Sequence, residues 1–364
     1  MDGEMKIDIY LMNALEHLST KPEEARRRTT NEDNEDWFLE NLNPFVADLI
    51  QVFCSKAWRR LESKTQVLTD LLNAHIRHRG AHSLEVLAIA VSISEFLGLN
   101  TELCRAIAVG HDLGHTPFGH AGEKFIADTL QQKWQPSSKG NKPDFRHEVF
   151  GVIVCQAIER LGKGLNLTHQ TLEGILYHSR GKNQATTNAS ISQEANAVMF
   201  ADKISYILSD FNDLFQRGLL LKNQHQALVK LMMSCGKNQR LRTWYFVSEL
   251  CKESAQEGKI SFSKCVAAQQ FEEIKRMMYG VYDKVNMFES QDILKYVYDF
   301  LDYVSNKEFN PLLALALMTD DDVLYLHRQQ CLILVNLKET SIWELVPLLK
   351  KRKALSLTNP DLNW

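Results

Sequence analysis

Residues 101–115 read Thr-Glu-Leu-Cys-Arg-Ala-Ile-Ala-Val-Gly-His-Asp-Leu-Gly-His, an apolar helical pattern that runs into His111, Asp112 and His115. Asn100 or Thr101 can cap this helix, which continues through Ile107 and Val109 toward His111. An ionised carboxylate in such surroundings costs several kcal/mol unless it has a partner. A metal ion supplies one directly. Consecutive helical residues diverge by about 100°, so His111 and Asp112 can straddle an ion lying against one side of the turn. A second imidazole must then come from a neighbouring helix, and His82 opens the helix just before. Another carboxylate is wanted too. Asp202, in Met199-Phe-Ala-Asp-Lys-Ile-Ser-Tyr206, carries the same unexplained charge in an apolar helical context. On that residue alone, a salt bridge to Lys203 or to an arginine is the alternative.

Working outward, the rest of the chain keeps helical periodicity. Pro44 opens a stretch in which Phe45, Leu49, Val52 and Phe53 recur at three- and four-residue intervals. His82–Leu97 is apolar on nearly all sides and stops at Gly98, as a helix buried inside a bundle would. Thr116-Pro117 reads as a helix start, with threonine as cap and proline in the first turn. The polar stretches 133–146 and 180–193 read as long loops. After Glu194 a long helix carries Val198, Ile204, Ile207 and Leu208, and 240–345 shows helical pattern without strand alternation. Only 17 glycines and 8 prolines occur in 364 residues, and these are the residues that interrupt helices. The expected fold is all-α. Residues 1–42 read as a mobile or partly ordered lead-in, 43–235 as the core, and 236–364 as a helical C-terminal region packed on it.

Composition excludes several classes. With 45% hydrophobic and 24% charged residues, the chain is an ordinary globular protein rather than a disordered or collagen-like one. A net charge of −3, from 42 basic and 45 acidic side chains, provides no global basic field for nucleic acid. Seven scattered cysteines, with no CxxC pair, suggest neither a disulfide framework nor a cysteine zinc site. The first residues carry Asp2, Glu4 and Asp8 where a signal peptide needs a basic start and an apolar run. Leu84–Leu99 is interrupted by Glu85, Ser92, Ser94 and Glu95, so no membrane span is expected. The expectation is a soluble cytoplasmic protein. Seven of its 12 histidines (His75, His78, His82, His111, His115, His120 and His147) fall within one fifth of the chain, which weakens the reading of each as a satisfied core residue.

The pattern His82, His111-Asp112, Asp202 resembles the ligand set of the HD-domain metal phosphohydrolases. The string HDLGHTPFGHAGE at 111–123 is more specific and resembles the deoxynucleoside triphosphate triphosphohydrolases, the dGTPase-like branch of that superfamily. Trp58-Arg-Arg-Leu-Glu-Ser-Lys64-Thr-Gln66-Val is similar to that family's FRRLxxKTQV segment, and Arg77-His-Arg79-Gly-Ala-His82-Ser-Leu-Glu-Val to its RxRxxHSxEV helix start. Phe145-Arg-His147-Glu148 and the DKxxYxxxD spacing of Asp202, Lys203, Tyr206 and Asp210 extend the resemblance, which is good from about 44 to 218. Two departures bear on substrate preference: Asp48 is followed by Leu49-Ile50 where the family often has Asp-Arg-Ile, and Gly80-Ala81 replaces the usual Leu-Thr. Met318-Thr-Asp-Asp-Asp322 resembles a C-terminal family element loosely, and reads otherwise as an N-cap with acids in the first turn.

The resemblance implies an all-α HD-domain bundle that releases deoxynucleoside and tripolyphosphate from dNTPs. It implies a divalent metal (Mn, Fe, Mg, Zn or Co) on His82, His111, Asp112 and Asp202. His120 takes the acid–base role, with Glu123 orienting it or pairing with His147, and Gln66, Arg79, His115, Lys203, Tyr206 and Asp210 contact substrate. Helix geometry agrees in part: Asp202, Tyr206 and Asp210 at i, i+4 and i+8 form one stripe. An aromatic under the sugar is either Tyr206 or Tyr282. A homo-oligomer and an activating nucleotide are also implied. Single-stranded DNA binding by Arg26-Arg27-Arg28 or Lys350-Lys351-Arg352-Lys353 is weakly supported, because short basic runs are usually solvated faces. Rival readings are another HD-family nucleotide phosphohydrolase, a monophosphatase or phosphodiesterase, and a dNTP sensor without turnover.

Overall fold

Asn43 and Ser55 place their side-chain oxygens on the N–H groups of Phe45 and Trp58, 3.0 Å away in each case, and so start α1 (Pro44–Phe53) and α2 (Lys56–Leu61). The same device recurs along the chain in a computed structural model that describes residues 11–28, 41–66, 77–134, 142–179, 187, 190–220, 224–282, 288–329 and 337–362. His75, Cys331, residues 29–40 of the expected lead-in, and residues 135–141 and 180–186 of the expected loops lie outside that set.

The apolar run at 82–97 belongs to α3 (Arg79–Leu97), which ends on Gly98, and Asn100 caps α4 (Thr101–Gly110). Then come α5 (His120–Lys133), α6 (His147–Ile153), α7 (His169–Tyr177) and α8 (Gln193–Gln216). The remaining helices are α9 (Gln226–Cys235), α10 (Gln239–Glu257), α11 (Val266–Tyr282), α12 (Phe288–Ser305), α13 (Pro311–Leu317), α14 (Asp320–Arg328) and α15 (Val346–Lys351). Among the described residues β pairing is limited to two isolated bridges, Arg27 with Thr168 and Thr65 with His78, so the fold is all-α.

Two apolar cores share the work. One joins α3, α4 and α8 to α9–α11 through Val86, Ile93, Ile107, Ile204 and Phe271. The other joins α5–α7 to α12–α15 through Ile126, Phe150, Ile175, Leu301 and Leu313. Helix α4 touches both, contributing Ile107 to the first and Val109 to the second. The chain leaves α4 between the two cores, which is where His111 and Asp112 emerge. Helix α3 is, among the described residues, the one helix long and apolar enough to cross a bilayer. Here it packs on α4, α8 and α10 as a core helix.

The lead-in is ordered over its described part. Asn13 and Leu15 donate backbone N–H groups to Phe96 and Leu97, and Thr20 donates twice to the buried Glu194. Arg27 lies 2.6 Å from the buried Asp48, which also accepts from Thr168 and Thr171 at the start of α7. Asp48 is thus a structural anchor for α7.

One expected helix start moves. Helix α5 begins at His120, because Phe118 (φ +56°) and Gly119 (φ +54°) turn the backbone left-handed after Pro117. Gly119 also has no room for a side chain: a Cβ there would sit 2.7 Å from Nη2 of Arg79. At Gly114 a Cβ would come within 2.0 Å of the His147 carbonyl, so that glycine lets α6 cross directly over the His111–His115 turn.

Candidate active site

Helix α4 ends on His111, whose Nδ1 lies 2.7 Å from the Ala108 carbonyl. A carbonyl only accepts, so Nδ1 carries the proton and Nε2 presents its lone pair. That Nε2 is buried, has no hydrogen-bond partner, and lies 3.3 Å from Oδ1 of Asp112 and 3.7 Å from Oδ1 of Asp202. A lone pair facing two carboxylate oxygens is repulsive unless a cation lies among them. His82 completes the group, with Nε2 2.9 Å from Oδ1 of Asp202. His82, His111 and Asp112 place ligand atoms within 4.8 Å of one another, as do His111, His178 and Asp202. The donor set of imidazole nitrogen and carboxylate oxygen fits a divalent transition ion.

Burial raises carboxyl pKa values, yet the neighbouring cations and imidazoles prevail here. His115 and Arg79 hold Asp112 well below the usual carboxylate range, and the hydrogen bond from His82 brings Asp202 down to about 2. Both stay ionised. Arg79 donates to Oδ2 of Asp112 at 2.9 Å from the first turn of α3, so its fork is anchored on a candidate metal ligand.

Beyond Asp112 the turn carries a second cluster. His115 is buried with Nε2 3.1 Å from Asp112 and Nδ1 2.8 Å from Oε1 of Glu123. Burial and then Arg79 push its pKa down to about 4, so the ring is neutral and has one proton for two carboxylates. It stacks on His147, with ring centroids 3.7 Å apart. His147 Nδ1 lies 3.2 Å from Glu123; against the desolvation of burial, that carboxylate raises the imidazole to about 9. His120 sits on the rim, 75% exposed, with Nδ1 3.6 Å from Glu123. Glu123 therefore serves His115 and His147 more closely than His120.

Three of the residues expected to contact substrate, Lys203, Tyr206 and Asp210, lie on α8, the last two facing α11. Tyr206 meets the Tyr279 hydroxyl at 2.8 Å, and Asp210 accepts from the Tyr282 hydroxyl at 2.7 Å and from Arg77. Burial raises the Asp210 pKa against the pull of Arg77. Lys203 is buried next to Asp202, and the Gln66 Oε1 is buried without a hydrogen-bond partner. The basic runs are engaged internally: Arg27 on Asp48, Arg28 on Asp361, Lys350 on Glu308 and Arg352 on the Gly162 carbonyl.

The profile of the HD domain matches residues 79–207, the span that carries these clusters. A relative from Clostridium tetani named deoxyguanosinetriphosphate triphosphohydrolase-like protein is 31% identical over 283 residues, 76% of each chain. The chain belongs to this family. Relatives of the same name from Caldanaerobacter subterraneus subsp. tengcongensis and Desulfatibacillum aliphaticivorans are 40% identical over 208 residues and 38% over 185. Those matches span 57% and 50% of this chain, and 55% and 49% of the relatives. The protein is therefore a hydrolase of this family, and its His/Asp clusters have the donor set of a metal site.

Within this family site, sequence reasoning passed over His178. It ends α7 as His111 ends α4: each is a C-cap histidine after an apolar helix, with Nδ1 2.7 Å from the carbonyl three residues back. Its Nε2 lies 3.2 Å from that of His147, and burial, with His111 and His147, lowers its pKa to about 3. The apolar helix closing on histidine was the available signal. Lys64 was passed over too. Its ammonium donates to the His115 carbonyl, and burial, followed by Arg60, lowers its pKa to about 7.

Proposed function

We propose that this hydrolase cleaves deoxynucleoside triphosphates at the α-phosphate, giving deoxynucleoside and tripolyphosphate. The observation that carries the reading is the continuity of α8. Asp202 faces the lone-pair cluster, and Tyr206 and Asp210 follow at one-turn intervals beside Tyr282. A phosphate near Asp202 would thus lie along the same helix from a sugar near Asp210.

In this reading His82, His111, Asp112 and Asp202 hold a divalent metal. Such an ion would supply Lewis-acid polarisation of the phosphate and activation of water. Arg79 keeps Asp112 oriented and turns positive charge toward the phosphates, and Lys203 adds a point charge. His147, kept protonated by Glu123, is a proton source at neutral pH, and His120 stands on the open rim, 3.6 Å from Glu123. Gln66 offers its free Oε1 to the base or the 3′-hydroxyl. Tyr282 and Arg77 hold Asp210 as an acceptor for a sugar hydroxyl.

The test is product analysis by ion-pair chromatography with each dNTP and NTP, with manganese or magnesium, beside His120→Ala and Asp202→Ala. Deoxynucleoside plus tripolyphosphate, lost in Asp202→Ala and reduced in His120→Ala, is the expected result. Release of pyrophosphate or monophosphate would instead make the protein another HD phosphohydrolase. Binding of dNTP without turnover in any nucleotide mixture would make it a sensor.

A further inference from the structure

Asp320 is fully buried at the start of α14, yet its carboxylate does not cap that helix. Thr319 and Asp322 form the capping box between themselves. The Asp320 side chain reaches instead to two segments far away in sequence. Its Oδ2 accepts from the backbone N–H of Thr65 at 2.9 Å and from the Thr65 hydroxyl, and its Oδ1 accepts from the backbone N–H of Phe118 at 2.9 Å. Its own N–H donates to the Ser63 carbonyl at 3.0 Å. Thr65 directly precedes Gln66, and Phe118 is the left-handed residue two positions before His120. The 63–66 segment is tied to the site elsewhere as well: Lys64 donates to the His115 carbonyl, and Arg79 donates its N–H to the Lys64 carbonyl at 3.0 Å.

We propose that Asp320 is a positioning residue for the hydrolytic site, its single carboxylate setting the Thr65–Gln66 segment against the Phe118–His120 turn. The proposal rests on the reading of Gln66 and His120 given above. Buried backbone N–H groups require acceptors, and a carboxylate offers two oxygens in one rigid plane. Asparagine offers one oxygen and turns an NH2 group toward the second N–H, so it retains only one arm of the bridge. The latch makes the C-terminal helical region part of the active-site wall, although it contributes no group to the metal cluster.

Asp322, two residues further along the same helix turn, is the matched control. It is buried and hydrogen-bonded to Thr319 and Ser341, but to neither site segment. Full-length Asp320→Asn, Asp322→Asn and Thr65→Val would be compared by kcat and KM with dNTP, thermal unfolding, metal content and peptide-resolved hydrogen exchange. Asp320→Asn is expected to raise amide exchange about tenfold around Thr65 and Phe118, and to lower kcat/KM at least about tenfold at unchanged metal content. Asp322→Asn should leave both within about twofold, whatever its loss of melting temperature. Thr65→Val should follow Asp320→Asn by a smaller factor, and decides the matter on the same readouts if Asp320→Asn does not fold. Unchanged exchange at the two segments overturns the proposal, as does loss of activity in both aspartate variants in proportion to their melting temperatures. If the wild-type chain turns over no dNTP, the functional reading fails, and the exchange comparison still decides the latch.

Discussion

The two sides of the active site are built differently. His82, His111, Asp112 and Asp202 stand on or at the end of α3, α4 and α8, whole helices that meet in one apolar core, α4 reaching the other as well. Their carboxylates are held ionised, and the His111 lone pair is free to bind a cation. His115, His120, Glu123, His147 and His178 stand beside the left-handed Phe118–Gly119 turn and at helix ends of the other core, braced by α12–α14. There one imidazole, His147, keeps its proton while His115 and His178 lose theirs. On the reading proposed above, the first side holds the metal and the second transfers the proton, and α4 joins them because it is packed into both cores.

The sharpest way to break this division is to remove a ligand from the metal side. Asp202→Ala should abolish metal uptake and lower turnover by about a thousandfold, read by elemental analysis and kinetics. It should leave the Glu123–His147 pair in place, visible as an unmoved His147 titration by NMR. A partial loss with full metal content would put the ion elsewhere.

Glu123→Gln addresses the other side. The raised His147 pKa means that the pair stabilises the fold fully below pH 6.5 and loses that contribution as pH rises through about 9. His115 and His178 act oppositely: their lowered values cost stability as pH falls below 6.5 toward about 4 and about 3. Thermal unfolding of the metal-free protein should therefore decline on both flanks of neutrality. Glu123→Gln should remove the alkaline flank and bring the alkaline limb of the rate profile from about pH 9 to near 6.5. At pH 8 that amounts to a loss of roughly tenfold or more in rate, with metal content unchanged.

Tyr282→Phe removes one hydrogen bond from Asp210 and leaves Arg77 in place. An increase in KM of several-fold to about tenfold, with kcat nearly constant, is expected in steady-state kinetics. The smallest effect belongs to a pair remote from both sides. Arg28 and Asp361 are both exposed, so Arg28→Ala should change unfolding free energy by about 0.5 kcal/mol or less and leave turnover unaltered.

Much of this was legible because helices signal themselves locally. The Pro44 opening, the cap at Asn100, the apolar run ending at Gly98, and a charge stranded in the apolar context of Asp202 are all properties of short windows. The departures have physical causes outside such windows. Thr116-Pro117 looks like a helix start, but the Phe118 N–H is taken by Asp320 across 202 positions of chain, and Gly119 must clear Arg79. His178 follows an apolar helix much as His111 does, yet no adjacent carboxylate draws attention to it. Asp320 sits in an acidic first turn that reads as ordinary capping.

By itself, then, the sequence determined the all-α fold, many helix ends, and several residues whose donors cluster, because capping, periodicity and the cost of a buried charge act over a few residues. Tertiary structure alone decided which imidazole holds a proton. Both His115 and His147 approach Glu123, and only packing buries the first beside Arg79, which pushes it down, and sets the second where Glu123 and Glu148 raise it. It also decided that α14 reaches into the site wall, since a hydrogen bond between distant segments depends on where two cores bring them and leaves no periodic trace in the chain.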